Sequence, residues 1–371
     1  MKRLPLLLAI CLQASAFAQT HNLIIGTYAK PSEDGIQVFQ YDEHTAATSK
    51  KSSVSGIENP SFLTLSADKR FLYSVTETHG PEKGGVYSFH FKPATGALSF
   101  INKQSSEGND PCYVATDKAG RFVYVGNYSS GNLAVLPVTA SGSLESANQV
   151  IAHAGNPGEA RKGKSNVHQT ILSPDEKYLL VNNLGTDKLY VYPRSSKYHQ
   201  SLNIDGVKEI ALTPGGGPRH LTFHPKKPWM YVLQELNSSV TALKFKKGTL
   251  NTFQTVSLLK PNYTGKAGAA DIHISPDGMF LYASDRGDVN ELIIYSIDQK
   301  TGALTQIGRQ SVLGKTPRNF AIDPSGKHLL VANQNSDEVV IFNRDIKTGL
   351  LTDSGKRIAV SKPVCLIFSS L

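Results

Sequence analysis

Residues 168–183 read HQTILSPDEKYLLVNN, and residues 271–286 read DIHISPDGMFLYASDR. Each is an alternating apolar run, a short polar turn, and a second apolar run that ends in polar side chains. Alternation at period two, rich in β-branched and aromatic residues, specifies paired strands. Pro, Gly, Asp and Ser punctuate the reversal between them. The unit returns at 61–77 (SFLTLSADKRFLYSVTE), 112–128 (CYVATDKAGRFVYVGNY), 219–235 (RHLTFHPKKPWMYVLQE) and 318–334 (RNFAIDPSGKHLLVANQ). A third strand-like run follows each pair, as in GVYSFHF at 85–91 and ELIIYSI at 291–297, and a weaker fourth follows turns such as Thr95-Gly96. Four strands in about 50 residues is the pattern of a β-propeller blade. The chain ends supply a seventh blade. Residues 364–369 (VCLIFS) look like a first strand with no second, and 22–28 (NLIIGTY) like a second with no first, followed by a third at 36–41 (IQVFQY). Pairing them closes the ring and removes exposed sheet edges. The predicted fold is all-β: one seven-bladed propeller of four-stranded antiparallel blades, spanning residues 19–371 as a single domain.

Composition agrees. The chain has 371 residues, 40% apolar and 19% charged, which excludes a disordered chain or a coiled coil. Single cores stop growing near ~250–300 residues, and the repeat accounts for the excess length. Residues 1–18 read as a cleavable secretory signal peptide: Lys2 and Arg3, an apolar run, then Ala16-Phe17-Ala18 before Gln19. The expected location is therefore periplasmic or secreted. Cleavage lowers the formal charge from +9 to +7, since 37 basic and 30 acidic residues remain. It also leaves only Cys112 and Cys365, assigned to different blades, so no disulfide is expected. No other segment approaches a membrane span.

The repeat is also a map. The start of each first strand and the end of each second strand emerge on one face. The interchangeable turns lie on the other. On the first face the blades differ: His168-Gln169, Arg219-His220, Asp271-His273 and Arg318-Asn319 start first strands, and Glu77, Asn127-Tyr128, Gln234-Glu235 and Asp285-Arg286 end second strands. His168, Arg219, Glu235 and Arg286 come from three neighbouring blades. An imidazole, a carboxylate and two guanidiniums suit an anionic substrate whose carbonyl is attacked or whose carbon is deprotonated. The structural alternative is a polar channel wall, with Arg219 and Glu235 simply paired across one hairpin.

Several motifs together resemble the lactonase family of seven-bladed propellers: GTYAKPSEDGIQVFQYD (26–42), VHQTILSPD (167–175), GPRHLTFHP (217–225), YVLQELNSSV (231–240) and IHISPDGMFLYASDRG (272–287). That family includes bacterial propeller-type 6-phosphogluconolactonases and fungal carboxymuconate-lactonising enzymes. The resemblance implies catalytic His168, Arg219, Glu235 and Arg286, and the map of the face adds Asn127, Tyr128, His220 and Arg318 as candidate substrate-binding neighbours. The resemblance also implies hydrolysis of a small anionic sugar-acid lactone with no metal or other cofactor. Arg219 and Arg286 would hold the anion and polarise the carbonyl, and Glu235 or His168 would activate water. The export signal departs from the cytoplasmic phosphogluconolactonases and points to another lactone, such as an unphosphorylated aldonolactone. Lactonising or isomerising chemistry and a non-catalytic binding propeller are the alternative readings.

Other signals carry less. Residues 158–165 (GEARKGKS) match the phosphate-binding loop pattern literally, but a strand follows where that motif needs a helix. The segment reads better as a basic loop, with Arg161, Lys162 and Lys164, between blades two and three. His220 and His224 lie about 13 Å apart along one strand, too far for one zinc. Lys and Arg are scattered rather than clustered, so no nucleic acid partner is expected.

Overall fold

A computed structural model describes residues 19–80, 84–155, 163–195 and 200–370. The predicted export segment and Arg161 and Lys162 lie outside them. The described residues form 28 strands in seven four-stranded antiparallel sheets. Blades one to six follow in chain order from the unit at residue 61. Their innermost strands are β4 (Leu63–Leu65), β8 (Pro111–Thr116), β12 (Val167–Leu172), β16 (Pro218–Phe223), β20 (Ala269–Ile274) and β24 (Pro317–Ile322). Blade seven has the order β28 (Pro363–Ser370), β1 (Thr20–Thr27), β2 (Ile36–Asp42), β3 (Thr48–Val54). The two chain ends thus pair, with Ile24 opposite Ile367.

Side-chain alternation explains the core. In β13 (Tyr178–Asn183), Leu179 and Val181 join the cluster shared with blade two, while Leu180 joins the cluster shared with blade four. Seven such clusters lie among the described residues, one between each pair of neighbouring blades. Each blade is therefore apolar on both faces, and its outermost strand is the polar one, as in β3 with its exposed lysine and serines.

The turns on the far face share one construction. Ser173 Oγ donates to Asp175 (2.7 Å) and accepts from Tyr178 N (3.1 Å). Ser275, Asp277 and Phe280 repeat the arrangement. These positions are structural punctuation, which accounts for their near-interchangeability. The GEARKGKS segment leads directly into β12, a strand. No helix among the described residues is long and apolar enough to cross a membrane.

Candidate active site

One irregularity recurs at the start of the inner strands. In blade two Pro111 pairs with Asn127 and Tyr113 with Gly126, so Cys112 is an extra residue. The same skip leaves out His168 in blade three, Arg219 in blade four and Arg318 in blade six. Such β-bulges re-aim a side chain out of the ordinary pleat. The re-aimed side chains meet others that follow immediately on the second strands. Glu77, Tyr128, Glu235 and Arg286 are each the first residue beyond the end of such a strand. Cys112, His168 and Arg318 join these four around one cavity of about 200 Å³.

Two carboxylates shape the cavity. Glu235 Oε2 lies 3.0 Å from Arg219 Nε and 3.2 Å from Arg286 Nη2. Glu77 accepts the Tyr28 hydroxyl on both oxygens (2.9 Å each) and the Ser61 hydroxyl on Oε2. Arg318 stands 3.8 Å from Glu77 and lies over the Tyr28 ring, 5.0 Å from its centroid. Three guanidiniums therefore face two carboxylates. Burial, then Arg219 and Arg318, hold Arg286 below the ordinary guanidinium value. Burial opposes the charge on Arg318 too, but Tyr28 and Glu77 outweigh it and hold that group high. Burial, with Arg219, His220 and the other arginines, pushes His168 well below 6.5, so its imidazole is neutral at pH 7. With His168 neutral, the cluster carries one net positive charge.

The predicted residues divide. His168, Glu235, Arg286, Tyr128 and Arg318 line the cavity. Arg219 does not: it is 1% exposed and sits behind Glu235. Arg318, not Arg219, is the second guanidinium on the cavity wall. His220 is also buried off the cavity, with Nδ1 2.7 Å from Asp271. Asn127 is the last residue of β9 (Phe122–Asn127), and its amide donates to Ser106 O (2.7 Å). Successive strand side chains point to opposite sides, so Tyr128 reaches the cavity and Asn127 the blade interior. Both cysteines are free and buried. Among the described residues no group of three or more His, Cys, Asp and Glu side chains is placed to hold a metal.

The family described as "Lactonase, 7-bladed beta-propeller" matches residues 22–368. This chain belongs to the lactonase family of seven-bladed propellers. It is 34% identical over 346 residues to the 6-phosphogluconolactonase of Bacillus subtilis, covering 93% of this chain and 97% of that protein. It is also 34% identical over 321 residues to the 6-phosphogluconolactonase of Formosa agariphila, covering 85% and 90%. The solved structure of the periplasmic gluconolactonase of Pseudomonas aeruginosa superimposes with a TM-score of 0.90 at 35% identity, covering 95% of this chain and 99% of that one.

Two residues at this cavity were not singled out from sequence, Tyr28 and Cys112, and Glu77 was placed on the predicted face without a role. Each has a positional signal. Tyr28 and Glu77 follow their second strands as Glu235 and Arg286 do, and Cys112 occupies the bulge position of His168 and Arg318.

Proposed function

We propose that the protein is a lactonase that opens a sugar-acid lactone with an activated water, outside the cytoplasm. The observation that carries this reading is Glu235, bracketed by two guanidiniums on a cavity that also presents Arg318 and a neutral His168. Attack on a lactone carbonyl places negative charge on its oxygen. Preorganised cationic donors stabilise that charge most when water is excluded. Arg286 and Arg318 are the cations on the cavity wall, and they are assigned this role. Glu235, fixed by Arg219, takes the proton of the attacking water. His168 is assigned the leaving ring oxygen. Its neutral imidazole donates a hydrogen bond there, and the proton that Glu235 took passes to that oxygen as the ring C–O bond breaks, leaving the open hydroxy acid and a regenerated carboxylate.

The charge balance favours an unphosphorylated aldonolactone. A phosphate monoester brings about −1.5 to −2 charges at neutral pH, against one net positive charge here. A neutral lactone that acquires a single charge on opening matches it. The periplasmic relative and the export signal read from residues 1–18 agree with that choice.

The test is a pH-stat assay of the mature protein, corrected for spontaneous opening, on gluconolactone, 6-phosphogluconolactone and muconolactones. The expected result is acceleration of gluconolactone with a higher kcat/KM than its phosphorylated counterpart. No acceleration of any of them would overturn the reading. Glu235→Gln is expected to lower kcat by about 10²–10⁴.

A further inference from the structure

Next to the cavity-lining residues, the starts of the inner strands of blades one to six contribute a second layer across the channel. Phe62 and Tyr113 stack, with ring centroids 4.0 Å apart, and both lie edge-on to the His220 ring. Tyr113 OH accepts from Gln169 Nε2 (3.1 Å). His220 Nδ1 and Asn319 Nδ2 both reach Asp271, at 2.7 and 2.6 Å. This layer lies between the Glu235 cavity and a second chamber of about 480 Å³, which Phe62, Tyr113, Asn319 and His273 line.

Asp271 is the hub of the layer. Oδ1 accepts from His220 Nδ1 and from Ile272 N (3.0 Å). Oδ2 accepts from His273 Nε2 (3.0 Å), Asn319 Nδ2 and Phe320 N (3.2 Å). One buried carboxylate thus ties blades four, five and six together. A carboxylate so surrounded accepts and has nothing to donate, so His220 Nδ1 carries the proton. Arg219 Nη1 stands 3.5 Å from His220 Nδ1 and 3.4 Å from Nε2, so the guanidinium rests against the imidazole ring. The same Nη1 donates to Ala270 O, the carbonyl next to Asp271. Arg219 Nε then meets Glu235.

We infer that Asp271 and His220 are positioning residues for the lactonase site: Asp271 orients His220, the two seat Arg219, and Arg219 holds Glu235 in place. This rests on the proposed role of Glu235. Neither residue lines the cavity, so neither touches substrate. Fixing the base to a fraction of an ångström is where such residues act, because a 1 Å misplacement costs about 10²-fold in rate.

Asp271→Asn keeps the size and removes the charge and one acceptor site. Its kcat is expected to fall about 10–100-fold with KM within about threefold. In an Arg219→Lys background, where Glu235 is already loosened, the same substitution is expected to add little. Additive losses in this cycle would overturn the inference, because independent structural damage adds. Should Asp271→Asn fail to fold, His220→Gln and His220→Phe replace it. Gln keeps a donor for Asp271, and Phe keeps only the ring packing beneath Arg219. Equal kcat in these two variants would overturn the inference. Crystal structures of the folded variants give a readout independent of turnover. Glu235 displaced from Arg219 supports the inference, and an unchanged Arg219–Glu235 contact refutes it. A wild-type protein inactive on lactones would refute the functional reading alone.

Discussion

Arg219 and Arg286 look equivalent in sequence, yet they touch different things. Arg219 is spent on Glu235, His220 and Ala270 O. Arg286 shares Glu235 but also faces the cavity. Arg286→Ala is therefore expected to remove an oxyanion donor and lower kcat about 10²–10³-fold, with a Tm close to wild type. Arg219→Ala is expected to lower kcat and also destabilise the fold, because it leaves buried acceptors unmet. Steady-state kinetics and calorimetry on the pair check the distinction. Cys112 lines the same cavity, but its surroundings disfavour the thiolate. Burial holds its thiol far above the ordinary value, and its Sγ lies 3.4 Å from His168 O. Neither Cys112 nor Cys365, 4% and 1% exposed, is expected to react with a thiol reagent in the native protein. Both should react after denaturation. Rapid native labelling would show that the cavity opens.

At the scale of elements, the site depends on how each inner strand begins. In blade four Gly215 and Gly217 donate their N–H groups to Asp187 (2.7 Å each), and Glu235 N donates to Gly217 O (2.8 Å). Gly217 has φ +66°, and a Cβ there would stand 2.7 Å from Leu236 Cγ. Gly215 has φ +73° with open space around it. Gly217→Ala is therefore expected to cost about 1–3 kcal/mol and to shift Glu235, lowering kcat. Gly215→Ala carries only the backbone term, about 1 kcal/mol, with kcat retained. Urea unfolding and kinetics on the two variants test the difference.

Across the whole molecule, ring closure places charged groups from all blades around one axis, and burial then sets their protonation. His153, His168 and His220 are buried and held below the ordinary 6.5, with His153 and His220 pushed down to about 4. The unfolded chain takes up these protons near pH 6.5, and the folded chain does not. Their contribution to stability is thus present above pH 6.5 and is lost as pH falls towards 4. His273 has the opposite sense. Burial lowers it, but Asp271 prevails and raises it, so its contribution is present at low pH and fades as pH rises through its folded value. With His224, also lowered by burial, four histidines outweigh one. Tm is expected to drop between pH 7 and 4.5, with His153 and His220 each contributing the equivalent of about 1–3 kcal/mol. A flat Tm over that range would contradict these burial effects.

Blade number, the pairing of the two chain ends and the face that carries the chemistry were all legible in sequence. Period-two alternation and turn residues are local signals, and they recur in every blade. His168, Glu235, Arg286 and Arg318 were legible for the same reason: each breaks an otherwise interchangeable repeat. The pairs Arg219-His220, Gln169 beside His168, and Asn127-Tyr128 were not resolved. In a strand, neighbours point to opposite sides, and one bulge residue shifts that alternation. The bulge leaves no mark in hydrophobic pattern, because it is set by pairing to a strand a turn away. Only the tertiary structure therefore decided that Arg219 lies behind Glu235, that Tyr128 and not Asn127 reaches the cavity, and that Glu77, braced by Tyr28 of blade seven, joins the wall from blade one. Sequence determined the ring and the face on which its variable residues lie. Bulged pairing and ring closure decided which side chains line the cavity, because both are relations between residues far apart along the chain.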